Sequence, residues 1–298
     1  MTKNVTREGF AAILPTICDS ETSADPDGWT PENPLWGHCA VVALIAQDLF
    51  GGTLHRASLG GTPYARMRSH YCNRIASDGM SELRALEWCD FTNPQFGDAY
   101  PTGLQWEERS REYALSNAKT LARYKEMTYR LARRIHGGNG IFSDAIYRRC
   151  FMAALDSPCR KMRFGCVITH QGKAVYEGAN RTIEPLASMC AGTCIRFGIA
   201  SRTESMLGAC GHAEEGVWDV VHQGIPINEC ELYVAGLDMR GLPWLKTARE
   251  HTCLRCAAQM YRAKLRGVWV PVINRWEKLT VEEALETARA YATKEKSV

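Results

Sequence analysis

The sequence predicts a two-domain chain, an α/β domain preceded by an α+β domain, and three observations carry that reading. At 298 residues the chain has the length of two ordinary domains. After residue 140, strand patterns alternate with helical ones, which implies a sheet covered on both faces. Between the halves, His136-Gly137-Gly138-Asn139-Gly140 interrupts every periodic pattern. The domains are therefore expected over 1–136 and 144–298.

In the first domain, residues 19–35 are rich in Asp, Ser, Thr, Pro and Gly and read as a loop. Gly37 to Phe50 is an apolar run ended by Gly51-Gly52, the pattern of a buried helix with a glycine stop. Residues 53–104 mix short apolar pieces with turn residues. From Trp106 to Ile135 the spacing of Tyr113, Leu121, Tyr124, Met127 and Leu131 predicts one long helix.

In the second domain, Ser143 is placed to cap a helix reaching about Leu155. Two strands, Phe164–Thr169 and Ala174–Glu177, are joined by the turn His170-Gln171-Gly172-Lys173. A segment containing Gly and Cys, 185–211, follows. Helices are expected over His212–His222, Cys253–Leu265 and about Val281–Lys294, and strands over Glu231–Ala235 and Val268–Ile273.

Composition narrows the function classes. Hydrophobic residues make up 45% and charged residues 23%, which is globular. A net charge of +3 is too weak to argue for a nucleic-acid groove. No apolar run reaches the ~18 residues that span a membrane, and no signal peptide is legible after Met1. A cytoplasmic protein without a membrane partner is expected, so the thirteen cysteines suit ligands, nucleophiles and core thiols better than disulfides.

The chemistry is concentrated in His212-Ala213-Glu214 and, about forty residues on, Cys253-Leu254-Arg255-Cys256. One His and two Cys can hold Zn²⁺ and leave a fourth position open for water. Both cysteines and the histidine fall at predicted helix starts, where the dipole favours thiolate. Glu214 stands two residues from a ligand and is free to move protons. The competing reading is a closed structural zinc with Cys210 as fourth ligand, which has no use for Glu214.

Three further pieces precede that set in order: Asp156-Ser157-Pro158-Cys159-Arg160 with Phe164-Gly165-Cys166-Val167-Ile168, then Glu177-Gly178-Ala179-Asn180, then Cys190, Cys194 and Cys210. On these, residues 144–298 resemble a deoxycytidylate-deaminase-type member of the cytidine deaminase superfamily. The resemblance implies a cytidine-deaminase-like α/β/α sandwich and hydrolytic deamination of a small nucleotide, nucleoside or base, with dCMP or a relative as the leading substrate. It implies zinc on His212, Cys253 and Cys256, catalysis by Glu214, and substrate binding at Asn180, Ala213 and Arg160. It also raises a second zinc on Cys159, Cys190, Cys194 and Cys210, against plain thiols, and a homo-oligomer. The chain departs from the pattern at Thr252, where Pro is usual, and in about eleven inserted residues from Gly236 to Lys246.

In the first domain Cys39 begins an apolar helix, and His70 and Asp90 follow. Cys, His and acid in that order are similar to the papain-like and transglutaminase-like arrangement, in which His activates Cys and the acid orients His. Roughly residues 30–135, including Arg123-Tyr124, resemble the YunG-like proteins. A working triad, a degenerate binding domain and an unrelated core all remain open from the sequence.

The readings in competition are a small-molecule zinc deaminase, a nucleic-acid editing deaminase, and a cysteine hydrolase with a zinc-stabilised binding module. Editing would want a basic, aromatic-lined groove. Arg160, Lys161 and Arg163 can equally hold one phosphate.

Overall fold

The computed structural model describes residues 5–76, 86–138, 140–159, 161–184, 186–190, 194–199, 210–245 and 252–294. The chain is mixed α/β and divides into two units, one ending at Ile135 and the other beginning at His136.

The first unit opens with α1 (Arg7–Ile13) and α2 (Cys39–Phe50). Seven of the first eight residues of α2 are buried, and Gly51 ends it at φ 72, a conformation that suits glycine. Four strands follow: β1 (Thr53–Ser58), β2 (Ser69–Ala76), β3 (Leu86–Cys89) and β4 (Trp106–Arg109). They form one antiparallel sheet in the order β3-β2-β1-β4. α2 lies on β2, where Asn73 Nδ2 donates to Ala43 O at 2.9 Å.

Here the expected helix from Trp106 is corrected. Trp106–Arg109 is an edge strand paired with β1, and Ser110 then caps α3 (Arg111–Leu115). Asn117 accepts from the Thr120 amide and starts α4 (Ala118–Ile135), so only the last eighteen residues form the long helix. Tyr124, Met127 and Leu131 are buried along it, whereas Tyr113 is exposed. Asp48 on α2 accepts from Tyr124 Oη at 2.6 Å and Arg111 at 2.9 Å, which fastens α3 and α4 to α2.

The second unit starts with α5 (Ala145–Ala154). Its cap is Asp144, whose carboxylate accepts from the Tyr147 amide at 2.8 Å, and not Ser143, which sits in the preceding 3₁₀ turn. β5 (Met162–His170) and β6 (Lys173–Ala179) form a hairpin whose two loop residues, Gln171 and Gly172, both have positive φ. Short strands β7 (Arg181–Thr182) and β8 (Cys210–Gly211) pair with each other. Then come α6 (Gly216–His222), β9 (Cys230–Asp238), α7 (Leu254–Ala263), β10 (Gly267–Val272), β11 (Arg275–Leu279) and α8 (Val281–Lys294). The main sheet runs β11-β10-β9-β5-β6, with β9 and β10 parallel and the other neighbours antiparallel. β11 was not foreseen; it is a short return strand with three charged side chains in five residues.

Side-chain parity places helices on both faces of this sheet. Cys166, Ile168, Leu232, Val234, Val268 and Val270 form one core with residues of α6, α7 and α8. Gly165 faces the other way, under α5. A Cβ there would lie 2.1 Å from Cys150 O and 2.4 Å from Ala154 N, so the glycine lets helix and strand touch. Gly165→Ala is expected to lower stability by about 1–3 kcal/mol or more, read as the urea midpoint of the full chain. Among the described residues no helix is long and apolar enough to cross a membrane.

Candidate functional site

In the second unit, β8 delivers His212 in extended backbone at the start of a 3₁₀ turn, Ala213–Glu215. The turn is fixed from below by Cys166, whose thiol donates to Ala213 O at 2.9 Å. Opposite, Cys253 is the N-cap of α7 and Cys256 lies in its first turn, so the Cys256 amide donates to Cys253 Sγ at 3.4 Å. The x-x spacing is what puts both thiols on one helix end. Arg255 pairs with Glu215 at 2.5 Å and Trp218 Nε1 donates to Gln259 at 2.8 Å, which locks the two segments together.

The result is a convergence of donors. His212 Nδ1 is 3.1 Å from Cys256 Sγ and 3.4 Å from Cys253 Sγ, and one ligand atom of each residue lies within 4.8 Å of the others. This His/Cys/Cys group can hold a metal ion. The Cys256 thiol donates to Cys253 Sγ, which draws the Cys253 thiol down and pushes Cys256 up, so the pair shares a proton where a cation would compete for it. Burial pulls His212 down, and hydrogen bonds to Cys210 and Cys253 more than offset it.

Glu214 is buried beside this group. Its carboxyl is pushed above the usual carboxylate range, first by burial and then by the charge of Cys253. His212, Glu214 and Cys253 line a cleft that Phe164, Asn180, Trp244, Lys161 and Arg196 also line. Trp244 was missed by the sequence reading. β9 is followed by a turn in which Leu242 O accepts from the Asp238 amide, and Trp244 N bonds Gly236 O at 2.8 Å. That sets Trp244 edge-on to Phe164 at 5.8 Å.

Asn180 is in the cleft but is committed to backbone. Its Oδ1 accepts from the Phe164 amide at 2.6 Å and its Nδ2 donates to Met162 O at 3.1 Å. One amide hydrogen and one lone pair remain for a ligand. Ala213 also lines the cleft. Arg160 lies outside the described residues. Cys159, Cys190, Cys194 and Cys210 border one small apolar pocket, yet the described group whose ligand atoms converge for a metal does not include them.

The first unit assembles the other predicted trio. β1 and β2 set Ala57 opposite His70, and β4 sets Trp106 opposite Ala57. His70 is fully buried, and its Nε2 lies 2.6 Å from Asp90 Oδ2. Asp90 follows β3 and is held by the Thr92 amide and hydroxyl, both at 3.0 Å, and by Tyr100 Oη at 3.2 Å. Cys39, the first residue of α2, directs its thiol to Ser69 O at 3.9 Å, beside His70, whose pKa it helps to raise. Buried Gln95, which sequence reasoning missed, places Nε2 3.4 Å from His70 Nδ1, and its Oε1 accepts from Gly37 N. No local pattern marks Gln95; only the fold brings it there.

Two histidines of this unit titrate in opposite senses. Burial lowers His38, held between Thr22 and Trp36 O, from 6.5 to about 4. Burial also opposes charge on His70, but Asp90 and Cys39 raise it from 6.5 to about 9. Between pH 6.5 and 4 the unfolded chain takes up a proton that folded His38 refuses, so stability falls on acidification. Between pH 6.5 and 9 folded His70 holds a proton that the unfolded chain has lost, so stability falls as pH rises. Each effect is on the order of 3 kcal/mol. The N-terminal transition is expected to be most stable near pH 6.5, checked by urea titration of the full chain with peptide-resolved hydrogen exchange.

Residues 6–136 match the family model described as YunG protein, which covers under half of the chain. No curated protein matches the chain.

Proposed function

We propose that the second unit is a zinc-dependent hydrolytic deaminase of a small nucleotide, nucleoside or base, built as a cytidine-deaminase-like sandwich. The observation that carries this reading is a buried carboxyl, Glu214, beside three converging donors at one cleft. Two thiols and one imidazole suit zinc. Zinc held by His212, Cys253 and Cys256 supplies the Lewis acidity that makes water a nucleophile near neutral pH.

The chain's own residues do the rest. Glu214 accepts the proton of the attacking water and passes it to the leaving amine nitrogen. Its burial keeps that proton out of bulk water. Phe164 and Trp244 offer the flat apolar walls that a heteroaromatic ring requires. Lys161 and Arg196 bring positive charge to the same cleft, which favours an anionic substrate. A compact cleft with two cations fits one small phosphate ester better than a polynucleotide.

An ammonia-release screen tests this, using zinc-loaded full-length protein against free bases, nucleosides and nucleotides. Release from a cytosine-type compound is expected, faster with a 5′-phosphate. Zinc-replete protein that releases ammonia from none of these classes would overturn the reading.

A further inference from the structure

We propose that the N-terminal unit is a second catalytic centre, in which Cys39, His70 and Asp90 cleave unbranched carboxamides through a thioester on Cys39. The proposal is independent of the deaminase reading and rests on residues of the first unit alone.

The geometry assigns the roles. Asp90 is fixed by three donors and binds His70 Nε2 at 2.6 Å. That bond puts the ring proton on Nε2 and leaves Nδ1 as the base. The Cys39 thiol is directed to Ser69 O, next to the imidazole, and Asp90 and Cys39 together make that ring a stronger base than a free histidine. Nothing in a packing core requires a carboxylate bonded to an imidazole with a thiol beside it. A buried polar chain of this kind is costly unless every member is satisfied, and here each is.

The chemistry balances as follows. Cys39 Sγ bonds to the amide carbonyl carbon after its thiol proton has passed to His70, whose raised pKa lets it hold that proton at neutral pH. The C–N bond then breaks, and His70 gives that proton to the departing amine. Water attacks the thioester, the C–S bond breaks, and the proton returns to Sγ through His70. The net reaction is hydrolysis with water as the only co-reactant. Backbone N–H groups in the first turn of α2, together with Gln95 Nε2, are donors for the oxyanion that forms on the way.

Access defines the substrate class. Cys39 is only 6% exposed and His70 is sealed. Phe96, Tyr100 and Trp106 surround the imidazole, with ring centroids 4.9, 6.3 and 5.7 Å away. Walls of this kind around the base favour a narrow acyl group, unbranched next to the carbonyl, over a branched one. A glutamine-type side chain or a glycine carboxamide has that shape.

The test uses the full-length chain and two activated acyl donors, p-nitrophenyl acetate and its branched analogue p-nitrophenyl pivalate. Acetate should give a burst of p-nitrophenol and an acetyl group on the Cys39 peptide by mass spectrometry, at least about tenfold faster than pivalate. Cys39→Ser should lose the adduct. Asp90→Asn should slow the burst by about 10²-fold and shift its pH profile. Wild-type protein provides a check that needs no variant: iodoacetamide should label Cys39 at least about tenfold faster than Cys72 in the folded state. The proposal fails if acetyl does not appear on Cys39, if Asp90→Asn acylates at the wild-type rate, or if Cys39 and Cys72 label alike.

Discussion

Cys256→Ala is expected to strip the metal from the chain and to unfold the second unit at a lower urea concentration. Cys256 is 1% exposed and belongs to the core shared by α6, α7 and the sheet, so the variant removes a ligand and a packed atom together. The two losses separate experimentally. Metal held at about 1,000 times its Kd contributes roughly 4 kcal/mol to the folded state, and a chelator removes that contribution. Wild type should therefore lose stability when chelated, while Cys256→Ala, already without metal, should not respond. Small packing loss alone would lower both curves and leave the chelator effect intact. Elemental analysis gives the direct reading: wild-type protein near one zinc per chain, the variant near none. Full zinc retention in Cys256→Ala would remove the proposed ligand set. A wild-type value near two would instead direct attention to Cys159, Cys190, Cys194 and Cys210.

The parts of this molecule that the sequence shows best are those determined within one or two helical turns. The convergence of His212, Cys253 and Cys256 was legible because ligand spacing is local and the Cys-x-x-Cys pair has to share a helix start. The hairpin at Gln171-Gly172 was legible for the same reason, since two positive φ angles need a turn sequence. What failed depends on partners far along the chain. Trp106–Arg109 carries Trp-Glu-Glu-Arg, which has no strand alternation, and becomes a strand because β1 offers an open edge. Asn180 lines the cleft, yet its amide clamps the Met162–Phe164 backbone. Gln95 and Trp244 reach their sites only through folding, and no residue beside them announces either. Cys39, His70 and Asp90 lie between these extremes: their types and order were readable, and their contact needed the register of β1, β2 and β3.

Glu214→Ala should keep its zinc and lose deamination by roughly 10²–10⁴-fold or more. The carboxyl is not among the converging donor atoms, so its removal leaves the two thiols and the imidazole in place. Metal content by elemental analysis should match wild type, which distinguishes this variant from Cys256→Ala. The loss belongs in kcat because Glu214 acts twice in one turnover, as base toward water and as acid toward the amine. Both transfers require the same side chain to change protonation state, and burial raises its carboxyl above the usual carboxylate range. Glu214→Gln separates proton transfer from shape. Gln fills the same buried space, so a variant that recovers stability but not turnover assigns the effect to the proton. A purely structural Glu214 would behave in the opposite way: Gln would restore turnover and Ala would lower stability more than rate. Near-normal turnover in Glu214→Ala, on the substrate that the ammonia screen identifies, would contradict the mechanism even with zinc fully bound.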